Sequence, residues 1–343
     1  MPELQVLAPT VGRVADLVSF CVSNHNYGRY LRPLLDALLA QTYPNVEIIV
    51  IDDGSTDDSR EVLADYDGRV VVEFQEQRGQ SVACNRAFEL SRGDIVVFHD
   101  SDDIVYLDAA QRLVEAFEDP AVTMVMTRLD IVDADGRPTG ERRPPDGCPL
   151  WSGDLRSLVL ERCSFFWPET TGQAYRRSFV ESVMPIPDLT PPDGYFSYLS
   201  AIGGPIAVLD PAVACYRSHG RNKHLAPRVH GVPWLDERIA MREHLYDAMR
   251  TYGGSLGVFE DGQAAQAWVP NDYIMASLRV SRCRLTRQPG RWRFGAAGVR
   301  AIVGHPQFRV IGQARHVAWF VGTTVLPRPF ARRTIHSRFP QAR

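Results

Sequence analysis

Three carboxylates within four positions, Asp100, Asp102 and Asp103, close the segment DIVVFHDSDD. Like charges this close repel one another unless a cation or hydrogen-bond donors compensate them. Oxygen-only ligands suit Mg2+ or Mn2+, and Mg2+ is commonly held by one or two carboxylates completed by substrate phosphates. The same cluster also suits a helix N-terminus capped by Asp102 or Asp103. A second acidic turn, IDDGSTDDS, runs from Ile51 to Ser59. Its Asp-Asp-Gly makes a tight turn and Ser55, Thr56 or Asp57 can cap the next helix, while Asp52 and Asp53 suit a ribose hydroxyl or a base N–H. Lys223 is the only lysine, so no phosphate-binding loop of the Walker kind is available and phosphate charge falls to metal and arginine.

The segments around these turns alternate. LVSFCVS, VEIIVID, RVVVEF and DIVVFHD are β-branched runs, and YLRPLLDALLAQ, DDSREVLADY, QSVACNRAFELS and LDAAQRLVEAFE between them have helical spacing. Strand, helix, strand at this spacing predicts an α/β fold with a mostly parallel sheet covered by helices on both faces. In such sheets ligands sit beyond the carboxyl ends of the strands, where Asn24, Asn26, Asp52, Asp53, Asp100, Asp102 and Asp103 fall. Farther on, the pattern predicts a hairpin around Asp135-Gly136, a helix near Gly153 to Arg162, a strand pair IAVLD and PAVACYR, and an amphipathic helix from about Trp234 to Tyr252.

The segment from Val18 to Asp103, with VSFCVSNHNYGRYL, IDDGSTDDS, QRGQSVACNRAF and FHDSDD, resembles the nucleotide-sugar-binding half of the family 2 glycosyltransferases. The likeness continues more loosely to about residue 221. It implies a GT-A, Rossmann-like fold with a mixed, mostly parallel sheet. The implied layout is an N-terminal extension (1–16), a catalytic domain (17–225, with a nucleotide-binding half 17–103 and an acceptor half 104–225), and a helical, Arg-rich C-terminal region (226–343). The implied activity is an inverting, hexosyltransferase-like transfer of a sugar from a nucleoside-diphosphate donor, with UDP favoured, to a hydroxyl of a glycan or lipid-linked glycan.

By the same resemblance Asp100-Ser101-Asp102 is similar to the DxD motif, with Mn2+ or Mg2+ held by Asp102, Asp100 and His219. Ser23, Asn24, Asn26, Asp52, Asp53, Gln80 and Asn85 match positions that contact or flank the nucleotide. Thr171 and Gly172 fall at the sugar or acceptor side, and Arg217 and Arg221 are placed to pair with phosphate oxygens. Asp193, in TPPDGYFSYLS, matches the general base, though Pro192 replaces the usual Glu before it and Gly194 a bulkier residue. As residues alone, Asp193 also suits the N-cap of a helix beginning near Tyr195. Cys84 stands where arginine is more usual. Trp151, Trp167 and Trp234 suit either sugar stacking or a core. Two rivals remain open: a polyprenyl-phosphate sugar synthase, and a non-catalytic module that binds nucleotide-sugar or glycan.

The 343 residues, with a hydrophobic share of 45% and a charged share of 23%, exclude a fibre or a disordered chain. Six cysteines without a CxxC pair read as reduced thiols. With no signal-peptide pattern and no apolar run of membrane-spanning length, the expected place is cytoplasmic, peripheral at the membrane's inner face. Charge is sharply divided. The first 278 residues carry 24 basic against 41 acidic side chains, a net −17, whereas the remainder carries 14 arginines and no acid. That tail suits an anionic membrane surface, bringing the enzyme to a lipid-linked acceptor, or packing against its own acidic body. It lacks a recognisable nucleic-acid module, and no nucleic-acid partner is expected.

Overall fold

The computed structural model describes residues 16–338 apart from 166, 189, 221, 223–230, 260–261, 304 and 306–309. Its first half runs β1 (Val18–Asn24), α1 (Gly28–Leu39), β2 (Val46–Asp53), α2 (Ser59–Ala64), β3 (Val71–Gln75), α3 (Gln80–Leu90) and β4 (Ile95–Asp100). It continues through β5 (Ile104–Val105), α4 (Ala109–Ala116), β6 (Met124–Thr127), β7 (Leu129–Val132), β8 (Pro138–Arg143) and α5 (Arg156–Arg162). Next come β9 (Gln173–Arg176), α6 (Arg177–Val183), α7 (Pro192–Gly203), β10 (Ile206–Leu209) and β11 (Ala214–Arg217). Helices α8 (Val232–Ser255), α9 (Gly262–Ala267), α10 (Tyr273–Thr286), α11 (Arg291–Ile302), α12 (Val310–Val325) and α13 (Arg328–Arg338) follow.

Seven strands form one sheet in the order β10-β6-β9-β4-β1-β2-β3, parallel except for β9. Alternation along the strands explains the two-faced burial. Phe20, Val22, Val50 and Val97 enter a core under α1, α2 and α4, while Cys21, Ile49, Ile51 and Phe98 enter another under α3, α5, α6 and α7. Register then fixes what meets at the strand ends. Asn24 stands beside Asp52 on β2, and Ser23 beside Asp100 on β4, so both acidic turns leave the sheet at one level.

A second, four-stranded sheet, β5-β11-β7-β8, includes the expected hairpin, with Gly136 in the left-handed conformation its turn requires. Strands β10 and β11 do not pair with each other, contrary to the pattern-based expectation. Ile206 to Leu209 run parallel to β6 in the large sheet, whereas β11 crosses to the small one and lies between β5 and β7. The apolar runs are too short to reveal which sheet each joins.

Helix α8 adds Leu245, Tyr246 and Met249 to the core beneath α7. A buried ion pair fastens the next helix. Asp272 caps α10 by accepting from the N–H groups of Ile274 and Met275, and Arg242 of α8 pairs with the same carboxylate. Arg242 also donates to the carbonyl of Cys163 at 2.6 Å and to the Tyr198 hydroxyl at 3.3 Å. Among the described residues no helix is long and apolar enough to cross a membrane.

Helices α11 and α12 touch through glycine. A Cβ added at Gly298 would lie 2.0 Å from a Phe320 ring carbon, whereas one at Gly254, on α8, meets nothing within 4 Å. Gly298→Ala should therefore lower stability by about 1–3 kcal/mol, and Gly254→Ala should be neutral or raise it by up to about 1 kcal/mol. Urea unfolding of the two variants measures the contrast.

Candidate functional site

Beyond the carboxyl ends of β1, β2 and β4 lies a cleft of about 290 Å³. Of the residues singled out from sequence, Ser23, Asn24, Asp53, Gln80, Asp100, Ser101, Asp102 and Asp193 border it. Five carboxylates line this cleft (Asp53, Asp100, Asp102, Glu169 and Asp193), and no described lining residue is Lys or Arg.

The β1 and β2 exits are clasped together. The Asn24 amide donates to Asp52 Oδ2 at 3.1 Å and to the hydroxyls of Ser55 and Ser59 at 3.2 and 3.0 Å. Asp52 Oδ1 accepts from the Ser55 N–H at 2.8 Å, so this carboxylate is consumed in the turn. Asp53 borders the cleft instead. It accepts from Gln75 Nε2 and the N–H of Arg78, both at 2.7 Å, and from the N–H of Gly79 at 2.8 Å. Gly54, with a φ of +71°, permits this, since a Cβ there would meet the Gln77 nitrogen at 2.7 Å. Asn26 joins the clasp rather than the cleft, accepting from the Thr56 N–H at 2.7 Å and donating its own N–H to Ser55 Oγ at 2.9 Å.

At the β4 exit each acid has a different neighbour. Asp100 accepts from Gln80 Nε2 at 2.6 Å, and Asp102 Oδ2 meets His219 Nε2 at 2.8 Å. The His219 ring packs against Tyr27 and Tyr30, each with its centroid 5.3 Å away. Asp103 is buried away from the cleft, accepting from the Thr171 hydroxyl at 2.6 Å and the Arg217 N–H at 2.9 Å. Burial, with the charges of Asp102 and Asp100 adding to it, pushes the Asp103 carboxyl well above the usual range. The same two charges reinforce burial in raising the Tyr27 phenol. Burial pushes the neighbouring His99 imidazole down to about 4, leaving it neutral.

Several expected contacts are spent elsewhere. Arg217 is buried, donating through Nε to the Asp102 carbonyl at 2.7 Å and lying 4.6 Å over the Tyr30 ring, which leaves it in the wall rather than facing a phosphate. Asn85 brackets the backbone of Ile186, donating to its carbonyl at 2.9 Å and accepting from its N–H at 2.8 Å. Gly172 packs against Pro168, and Thr171 joins the Asp103 cluster. Cys84 is buried in the apolar core, where an arginine would be out of place. Arg221 lies outside the described residues.

Asp193 borders the same cleft from α7. Helix α7 begins at Pro192, not near Tyr195, so Asp193 occupies its first turn instead of capping it. Proline is at home at that first position because its missing N–H has no intrahelical partner to lose. Gly194 would tolerate a Cβ, whose nearest neighbour would be a Trp167 ring atom at 3.9 Å. Trp167 itself stacks edge-on against Tyr198 at 4.9 Å, within the aromatic core. The Asp193 charge adds to burial in holding the Tyr175 phenol well above its ordinary range.

Among the cleft residues that escaped sequence reasoning are His25 and Tyr27. His25 Nδ1 meets the Asp53 carbonyl at 2.7 Å, which places the proton there and leaves Nε2 to accept from Asn26 and Gln77, both at 3.1 Å. Their signal was position, since they interleave Asn24 and Asn26 at the same strand exit. The arrangement also favours an added cation. An acid-lined cleft repels a diphosphate, and Asp100 with Asp102 offers oxygen donors of the kind Mg2+ or Mn2+ takes. Among the described residues no group of three or more His, Cys, Asp or Glu side chains stands ready to hold a metal. Remaining ligands would then come from the substrate. Asn24 Oδ1 and Ser101 Oγ are buried without a hydrogen-bond partner among the described residues, polar atoms that a ligand in this cleft could satisfy.

The family described as glycosyl transferase family 2 matches residues 19–182. An uncharacterized glycosyltransferase of Nostoc sp. is 37% identical over 217 residues, covering 61% of this chain and 67% of its own. Glycosyltransferase GlyG of Streptococcus pneumoniae is 35% identical over 117 residues, covering 33% of this chain and 39% of its own. This chain thus spans about two thirds of the first relative and well under half of the second. In structure, S. aureus TarS 1–349, solved in complex with UDP-GlcNAc, aligns with a TM-score of 0.54 at 17% identity, covering 95% of this chain and 92% of TarS. The GT-A fold is common to both.

Removing the Asp53 carboxylate by Asp53→Ala strands the N–H groups of Arg78 and Gly79. The expected loss of stability is about 1–3 kcal/mol, measured by chemical denaturation.

Proposed function

The chain belongs to glycosyl transferase family 2, and from that membership we propose that it transfers a sugar from a nucleoside-diphosphate donor to an acceptor hydroxyl. The observation that carries this reading is the acid-lined cleft, bordered by Asp100 and Asp102 at the β4 exit and by Asp193 in the first turn of α7. A uridine nucleotide is the first donor to try, because TarS binds UDP-GlcNAc. The acceptor is a glycan or a lipid-linked glycan.

Asp193 takes the proton of the acceptor hydroxyl as its oxygen attacks the anomeric carbon. The new C–O bond forms while the bond from that carbon to the diphosphate oxygen breaks, and the diphosphate leaves with the electron pair. A single displacement inverts the anomeric configuration. Asp100 and Asp102, with His219 behind Asp102, would hold Mg2+ or Mn2+, which supplies positive charge opposite the departing diphosphate. Asp102 is kept in place by the His219 contact and by Arg217 on its own carbonyl. Asn24, Ser23, Asp53 and Gln80 face the nucleotide side, and Asp53 is oriented by its three donors. Asn26 and Asp52 support that wall from behind. The Arg-rich C-terminal region brings the enzyme to an anionic membrane surface, a role supported by its one-signed charge.

Asp193→Asn should lower kcat by about 10² to 10⁴ while donor affinity stays within a few-fold. Equal loss of donor affinity would contradict the base assignment. In a thermal-shift screen of UDP-, GDP-, dTDP- and CDP-sugars, the donor that the protein uses should stabilise it only when Mn2+ or Mg2+ is added. Asp102→Asn should remove that ion-dependent shift. A donor shift indifferent to EDTA would rule out the metal role.

A further inference from the structure

Not all of the tail's arginines face solvent alone. Arg279 pairs with Glu243 of α8 at 2.9 Å, and Arg282 pairs with Asp236 of the same helix. Arg284, Arg287 and Arg291 instead converge on a cavity of about 350 Å³ whose described lining contains no acid. The fold builds this cavity from a chain reversal. Helix α10 ends at Thr286, Arg287 takes a left-handed conformation with φ 63°, and Gly290 at φ 110° turns the chain into α11 at Arg291. Arg284 is buried and donates to the Leu326 carbonyl at the end of α12, which holds its guanidinium against the cavity wall.

The rim has the opposite chemistry. Val325 and Leu326 border the cavity and are 58% and 40% exposed. Trp292, next in sequence to the lining residue Arg291 whose guanidinium lies 5.3 Å over its ring, is 59% exposed, and Phe330, in the first turn of α13 and donating its N–H to the carbonyl of the lining residue Pro327 at 3.0 Å, is 54% exposed. Val321, one helical turn before Val325, extends the apolar strip. A soluble anion would need the arginines only. Guanidinium groups framed by exposed aromatic and aliphatic side chains match the boundary between lipid headgroups and acyl chains.

We propose that this pocket receives the phosphate headgroup of an anionic lipid while the rim formed by Trp292, Val325, Leu326 and Phe330 enters the bilayer interface. The proposal rests on the reading of the C-terminal region as membrane-facing, and adds the groups that do the binding.

The test is cosedimentation of the full chain with vesicles of phosphatidylcholine alone or mixed with phosphatidylglycerol. Wild type should pellet with the mixed vesicles and not with phosphatidylcholine. Arg287→Gln with Arg291→Gln should weaken that binding roughly thirty-fold, since each arginine at the surface counts separately. Trp292→Ser with Phe330→Ser should weaken it comparably, and the exposed pair Arg300→Gln with Arg315→Gln should change it less than about three-fold. Circular-dichroism melting curves matching wild type establish that each variant is folded. Equal weakening by the two arginine pairs would overturn the pocket and leave the membrane reading standing. Absence of wild-type binding to the mixed vesicles would overturn both. Inorganic phosphate that stabilises wild type but not the pocket pair, without vesicle binding, would mark a free-phosphate site and overturn the lipid. Donor thermal shifts, read in parallel, test the transferase assignment independently.

Discussion

Mutual repulsion among carboxylates at the ends of β2 and β4, on either side of β1, is the constraint around which the molecule is organised. Strand register brings Asn24, Asp52 and Asp100 to one level, and each acid there is answered by a separate set of donors. Asp52 takes an amide and a turn N–H, Asp53 takes two backbone N–H groups and Gln75, and Asp103 takes Thr171 and the Arg217 backbone. Asp52 and Asp103 are thereby settled as structure, while Asp53 is held in orientation at the border of the cleft. Asp100 meets the Gln80 amide and Asp102 the His219 ring, and both border the cleft. Division of labour among neighbouring acids follows from who supplies donors to whom, a matter of tertiary contact rather than residue type.

The opposite charge is gathered at the other end of the chain. There the arginines serve two purposes. Some tie helices together through acids of α8, and others surround a cavity without any. The tail is therefore partly packed against its own acidic body and partly gathered around a cavity without acids.

Much of the nucleotide-binding half was legible because its strands are β-branched runs closed by acidic turns, and those patterns report local structure directly. Which member of a pair faces the cleft was less legible. Asp52 and Asp53 are adjacent and chemically identical, and only the Asn24 clasp distinguishes them. Arg217 looked suited to a phosphate, yet the insertion of β11 between β5 and β7 buries it behind Asp102. The same crossover separated β10 from β11, which a run of four apolar residues does not announce. Asn85 illustrates a further limit: an amide matching a binding position can equally bracket a backbone 101 residues away.

Arg242 and Asp272 have a consequence for how the molecule moves as a whole. Their buried pair grips the Cys163 carbonyl and the Tyr198 hydroxyl, and Tyr198 lies on the helix whose opening turn carries Asp193. Prying α10 from α8 would leave a lone ion in an apolar setting, a far larger penalty than breaking an exposed pair. The junction therefore acts as a weld and not a swivel. The tilt of the distal helices is thereby transmitted to the cleft wall that carries Asp193, so the placement of that wall is set by architecture rather than by a wandering tether.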